Sequence, residues 1–122
     1  LAERVQIFNT SLNLSNFYKN ASIFVIPSLW EGFPNVLAEA MSFGLACIGF
    51  EESIGVKALL KNKQGWLIRN SEYKYLAEMI LNCINDKEER IKRSNLAIQK
   101  IKIFEPNKIL KSWIGLINDL ST

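Results

Sequence analysis

Two glutamates bracket a helix start in this chain. Glu31 lies in the loop Ser28-Leu29-Trp30-Glu31-Gly32-Phe33, and Glu39 lies five residues beyond Pro34. A carboxylate accepts hydrogen bonds from two hydroxyls at once, so Glu39 suits a clamp on a ribose diol. Glu31 can hold sugar hydroxyls on the opposite side. Between them, a helix opening at Pro34 leaves the N–H groups of Asn35, Val36 and Leu37 without carbonyl partners. These groups sit at the positive end of the helix dipole, which suits a diphosphate. Asn35 and Glu39 are four apart and share a face. Glu39 sits about 7–8 Å along the axis, and side chains tilt toward the helix N-terminus, so it points back at the phosphate position. Gly32 lets the backbone come close to a ligand, and Phe33 lies beside it.

These residues need a scaffold that presents a helix start at a strand end. Ile23-Phe24-Val25-Ile26 is a continuous apolar run closed by Pro27, as expected of a central parallel strand covered on both faces. The helix begins at Pro34, whose ring suits the first helical position, and stops at Gly44. Val36, Leu37, Ala40 and Met41 form its apolar stripe. Further strands are expected at Val5-Gln6-Ile7-Phe8, before a polar turn, and at Ala46 to Phe50 and Trp66-Leu67-Ile68. Helices are expected over Asn13 to Asn20, Val56 to Lys61, Glu72 to Asn85, Lys87 to about Phe104 and Asn107 to Leu120, with Pro106 separating the last two. Strands alternating with helices predict an α/β fold, a Rossmann-like parallel sheet with flanking helices. Ligands in such sheets sit beyond the carboxyl ends of the strands.

Composition narrows the chemistry. The 122 residues suit one globular domain, and 48% hydrophobic with 22% charged residues argues against disorder. The chain holds no histidine, which removes Ser-His-Asp and Cys-His mechanisms and every His-ligated metal site from within it. Cys47 and Cys83 form no CxxC pair and read as reduced thiols of a cytosolic protein. A net charge of +3 is too mild to point to nucleic acid, but permits weak attraction to phosphates or an anionic membrane face. The chain opens at Leu1 without methionine, so it reads as a piece of something longer.

The segment Pro27-Ser28, Glu31-Gly32-Phe33, Glu39-Ala40-Met41 and Gly44 resembles the Glu-x7-Glu motif of retaining glycosyltransferases with the two-domain GT-B fold, above all the GT4 family. The likeness covers most of Val5 to about Asn85. Gly44-Leu45-Ala46-Cys47 stands where relatives commonly carry Gly-x-Pro-Val. The resemblance implies a C-terminal donor-binding domain that works on a nucleotide diphosphate sugar, with a UDP-sugar expected. In this pattern Glu31 contacts the donor sugar and is the catalytic candidate. Gly32, Phe33 and the backbone at Asn35 and Val36 line the donor, and Glu39 holds the ribose. The sugar passes with retention to a saccharide or lipid-linked acceptor, in cell-surface polysaccharide or glycoconjugate synthesis. No cofactor, metal or nucleic acid is implied, and the place is the cytoplasm, at the inner face of the membrane. Residues 1–105 then read as part of the donor domain. Residues 106–122 read as a C-terminal helix packing back on it or on an absent N-terminal domain.

On the residues alone, other readings compete. Two carboxylates can serve a glycoside hydrolase as acid and base or nucleophile. A non-enzymatic α/β interaction module would leave both glutamates as ordinary solvated charges. Trp30 and Phe33 then pack the loop, Trp66 caps the sheet, Trp113 anchors the last helix and Ser53 and Gly55 shape a turn. The basic tract Lys87 to Lys102 reads as a solvated helix face.

Overall fold

Three short apolar runs form the sheet in a computed structural model, which describes residues 2–10, 13–69 and 71–121. They are β1 (Ile23–Ile26), β2 (Ala46–Phe50) and β3 (Trp66–Ile68). All pair in parallel, in the order β1-β2-β3, with Ile23 opposite Ala46 and Ile48 opposite Trp66. Parallel neighbours need crossovers, and helices supply them. The helices are α1 (Ser15–Asn20), α2 (Asn35–Ser42), α3 (Ile54–Leu60), α4 (Tyr73–Asn85), α5 (Lys87–Ile101) and α6 (Pro106–Leu120), with short 3-10 turns at Ala2–Arg4 and Lys102–Phe104.

Side chains alternate across β2 and build a core on each face. Cys47 joins Leu37, Met41, Val56, Leu59 and Leu60 on the face covered by α2 and α3. Ile48 and Phe50 join Trp66, Ile68 and Cys83 on the face covered by α4. Every residue of β2 is buried, whereas β1 is mostly half-buried. The central strand is therefore Ala46–Phe50, not Ile23–Ile26. Among the described residues β1 has a neighbour on one side only, so it is not central, yet it is covered on both faces: Phe24 and Ile26 pack on one core and Ile23 and Val25 on the other.

Val5 to Phe8 is not a strand here. A strand is defined by a ladder, none of the described residues pairs with this segment, and Ile7 is 93% exposed. Phe8 instead meets the edge of Phe17, with ring centroids 4.8 Å apart. The polar turn expected next falls partly on Ser11 and Leu12, outside the described residues.

α2 ends as its sequence predicts. Gly44 adopts a left-handed backbone at φ 76°. Its N–H donates to Met41 O at 3.0 Å, and the Leu45 N–H donates to Ala40 O at 3.1 Å. This pair satisfies two carbonyls that the helix end would orphan. Leu37, Ala40 and Met41 are fully buried, but Val36 faces outward. The apolar stripe is thus narrower than expected.

The basic tract does more than meet solvent. Arg90 donates from Nη1 to the carbonyls of Cys83 and Ile84, both at 2.9 Å, and so closes the end of α4. Arg93 stacks over Trp66 at 4.7 Å, donates to the Gly65 carbonyl and pairs with Glu89 at 2.8 Å. Trp66 is buried under that guanidinium. Trp113, by contrast, is 59% exposed and anchors nothing in the described core. α6 meets the rest of the protein chiefly at the Lys102–Phe104 turn, and the apolar residues from Ile109 to Leu120 stay exposed.

Candidate functional site

The site is assembled where β1 ends. Pro27 stops the strand, and the chain runs through the Ser28–Phe33 loop to α2. Pro34 is the residue before the helix and not its first member, because its ψ of 97° is extended. Its carbonyl accepts from Leu37 N at 3.0 Å and from Ala38 N at 3.1 Å. The expectation that Leu37 offers a free N–H is therefore wrong: the first turn tightens and uses that donor. Asn35 and Val36 remain, and their N–H groups precede any carbonyl that the helix could supply. Both residues are exposed.

α2 shares a recess with the far end of the chain. A cavity of about 580 Å³ is lined by Phe33, Asn35, Glu39 and Ser42 on one side, with Ile101, Lys102, Phe104 and Glu105 among its other walls. Phe33 closes one corner by meeting Phe104 edge-on at 5.1 Å. Asn35 and Glu39 thus share a face and a wall, as their spacing required. Lys102 adds a basic side chain to the lining. A larger recess of about 660 Å³ lies by Trp66, Asn82 and Asp86. It sits at the amino end of β3, whereas ligands of open α/β sheets gather beyond the carboxyl ends. The cavity of about 580 Å³ beside the start of α2 is the candidate site.

Glu31, Gly32 and Val36 do not line that cavity. The cavity that Glu39 lines is therefore not the two-carboxylate recess that a glycoside hydrolase would need around its scissile bond. Glu31 is half-buried, and its loop is braced from behind by the start of α3. Gly55 N–H donates to Glu31 O at 2.9 Å. A Cβ on Gly55 would lie 2.6 Å from the Glu31 carbonyl oxygen and closer still to that of Gly32. Gly55 is thus a glycine that the close approach of two backbone segments requires. Gly32 is exposed, and a Cβ there would meet nothing within 4 Å, so its space opens outward. Ser53, just before α3, is wholly buried and does not cap the helix with its side chain. Trp30 is 88% exposed, so it does not pack the loop.

Glu39 has one partner that spacing could not reveal. The Tyr18 hydroxyl, from α1, donates to Glu39 Oε2 at 3.1 Å, with Val36 O at 3.4 Å as a second acceptor. Tyr18 is buried, with its ring against Phe24 and Phe43. Burial, then the hydrogen bond to Glu39 and its charge, push the phenol up to about 12, so the donor proton stays in place. Elsewhere at the strand ends, Glu51 is bound to Lys57 at 2.9 Å and to Arg69 at 3.3 Å. Those cations, Lys57 first, hold its carboxyl below the usual range despite some desolvation. Both cysteines are buried, and burial pushes the Cys47 thiol up to about 12, which makes it inert as a nucleophile.

Residues 1–100 match the family model described as glycosyl transferases group 1. An uncharacterized glycosyltransferase of Haemophilus influenzae is 29% identical over 118 residues, covering 96% of this chain and 33% of that protein. The UDP-Gal:alpha-D-GlcNAc-diphosphoundecaprenol alpha-1,3-galactosyltransferase of Escherichia coli is 32% identical over 96 residues, covering 78% of this chain and 24% of that protein. In fold, sucrose-phosphate synthase from Thermosynechococcus elongatus superposes with a TM-score of 0.79 at 23% identity, over 88% of this chain and 27% of that one. The chain thus spans a third or less of each of these relatives.

Proposed function

This chain belongs to the glycosyl transferases group 1 family, and on that premise we propose that it is the donor-binding part of a longer retaining glycosyltransferase. The observation that carries this reading is the start of α2. Two N–H groups without helical partners, at Asn35 and Val36, adjoin a cavity whose wall holds both Asn35 and Glu39. A nucleotide diphosphate fits this chemistry. The diphosphate meets the helix start, and the ribose diol bonds Glu39. The transferred sugar extends toward Glu31, on the other side of the helix start, with Gly32 leaving room and Phe33 at the rim.

The donor we propose is a UDP-sugar, and the acceptor a saccharide or lipid-linked sugar held by a domain outside this chain. The names of the relatives support that choice: the Escherichia coli enzyme takes UDP-Gal and a diphosphoundecaprenol-linked acceptor. No described helix is long and apolar enough to cross a membrane. We place the enzyme in the cytoplasm, with peripheral contact at the inner membrane face and a role in cell-surface polysaccharide synthesis. The exposed apolar side of α6 packs, in this reading, on the part of the enzyme that binds the acceptor.

Mass action supplies the test. A ligand that binds only the folded state stabilises it by about 2.7 kcal/mol when present at a hundredfold excess over Kd. UDP should therefore raise the melting temperature of the intact enzyme, and by more than GDP or ADP. The absence of any shift with all three would remove the donor site. The isolated 122-residue stretch should transfer no sugar, since catalysis between two reactants depends on holding both. Turnover by the purified stretch with any acceptor would contradict this division of labour.

A further inference from the structure

We infer that Tyr18 is a positioning residue for the ribose-binding carboxylate: its hydroxyl, 3.1 Å from Glu39 Oε2, fixes the orientation in which Glu39 meets its ligand. This rests on the donor-site reading of Glu39. The two residues come from different helices, with Tyr18 in α1 and Glu39 in α2. A glutamate on an exposed helix face samples several rotamers, and binding must select one. Ordering a flexible side chain on binding costs affinity, and ordering it beforehand recovers it.

The surroundings of Tyr18 suit this task and no solvent-facing one. Its ring is 6% exposed and belongs to the same core as Leu37 and Met41, which lie on the buried side of α2. Phe24 and Phe43 stand against it at 6.1 and 5.3 Å. The ring therefore cannot swing, and its hydroxyl emerges at one fixed point beside Val36 and Glu39. A tyrosine hydroxyl has one proton to donate. Given to Oε2, it leaves Oε1 for incoming hydroxyls and occupies a lone pair that would otherwise collect water. The donor comes from α1 and packs in the core on the buried side of α2, while the acceptor stands on the exposed side of α2, so the core's rigidity is passed to the site.

Tyr18→Phe removes the hydroxyl and keeps the packed ring. It should weaken UDP binding by the intact enzyme about two- to tenfold, the affinity equivalent of ordering one rotamer-rich side chain. In a Glu39→Ala background the same substitution should have no effect on affinity. Nor should it affect binding of 2′,3′-dideoxy-UDP, which lacks the diol. Calorimetric titration of wild type, both single variants and the double variant with each ligand gives the full cycle. If Glu39→Ala weakens UDP binding while Tyr18→Phe does nothing, the positioning role fails and the donor site stands. Equal losses from Tyr18→Phe with and without Glu39, or with and without the diol, would likewise reduce Tyr18 to a general packing residue. If Glu39→Ala leaves UDP affinity unchanged, the donor reading fails and the role of Tyr18 goes with it.

Discussion

Replacing Glu39 by alanine in the intact enzyme should weaken nucleotide diphosphate binding by at least about tenfold. A charged acceptor holding two neutral hydroxyls makes bonds worth about 1.5–3 kcal/mol each, and 1.4 kcal/mol is one decade in affinity. The fold should barely register the change. Glu39 is exposed, alanine is the best helix former, and the Tyr18 hydroxyl retains Val36 O at 3.4 Å as an acceptor. Glu31→Ala should show the opposite profile. Glu31 lies outside the cavity that Glu39 lines, so the nucleotide should still bind while sugar transfer falls. Calorimetry with free UDP, a transfer assay and a melting curve for each variant separate these effects. Wild-type affinity in a well-folded Glu39→Ala protein would take away the ribose contact and most of the case for the donor site.

A single methyl group on Gly55 should cost about a hundredfold in sugar transfer. Alanine would normally favour a helix over glycine, by about 1 kcal/mol. Here its Cβ would press on the carbonyl oxygens of Glu31 and Gly32. Backbone cannot rotate out of the way as a side-chain tip can, so the Glu31 loop must move. Overpacking of this kind destabilises by about 1–3 kcal/mol, which outweighs the propensity gain. A shift of roughly 1 Å in a residue that orients the reacting sugar can cost about 10²-fold in rate. Glu39 is held by α2 and Tyr18 and not by this contact, so UDP affinity should change much less than the rate. Transfer and titration on the Gly55→Ala enzyme give the comparison. A wild-type rate would mean that the loop yields without consequence and that Gly55 is only a turn residue.

The elements around the site were legible because their signals are local. Pro27, Pro34 and Gly44 punctuate the backbone within a few residues of themselves, and the end of α2 follows Gly44 to the hydrogen bond. The four-residue spacing of Asn35 and Glu39 dictates a shared face wherever the helix sits, and the cavity holds both. The alternation of apolar runs with helical patterns was enough for a parallel α/β sheet, since parallel neighbours require such crossovers.

What depended on pairing was not legible. Ile23–Ile26 and Ala46–Phe50 are both continuous apolar runs, and only the strand order makes the second one central. Val5 to Phe8 has strand-forming residues but no neighbour to bond among the described residues, and propensity alone does not hold a strand. The Leu37 N–H was lost to a tighter first turn, and a half-turn of helix cannot be read from residue types. The Tyr18 hydroxyl on Glu39, the Gly55 brace behind Glu31 and the cavity wall at Lys102 to Glu105 each join residues far apart in the chain. Sequence periodicity reports which side of an element is buried. Which distant atom a buried or emerging group meets is decided only when packing brings the elements together, because hydrogen bonds and steric contacts act over a few ångströms of space whatever the separation along the chain.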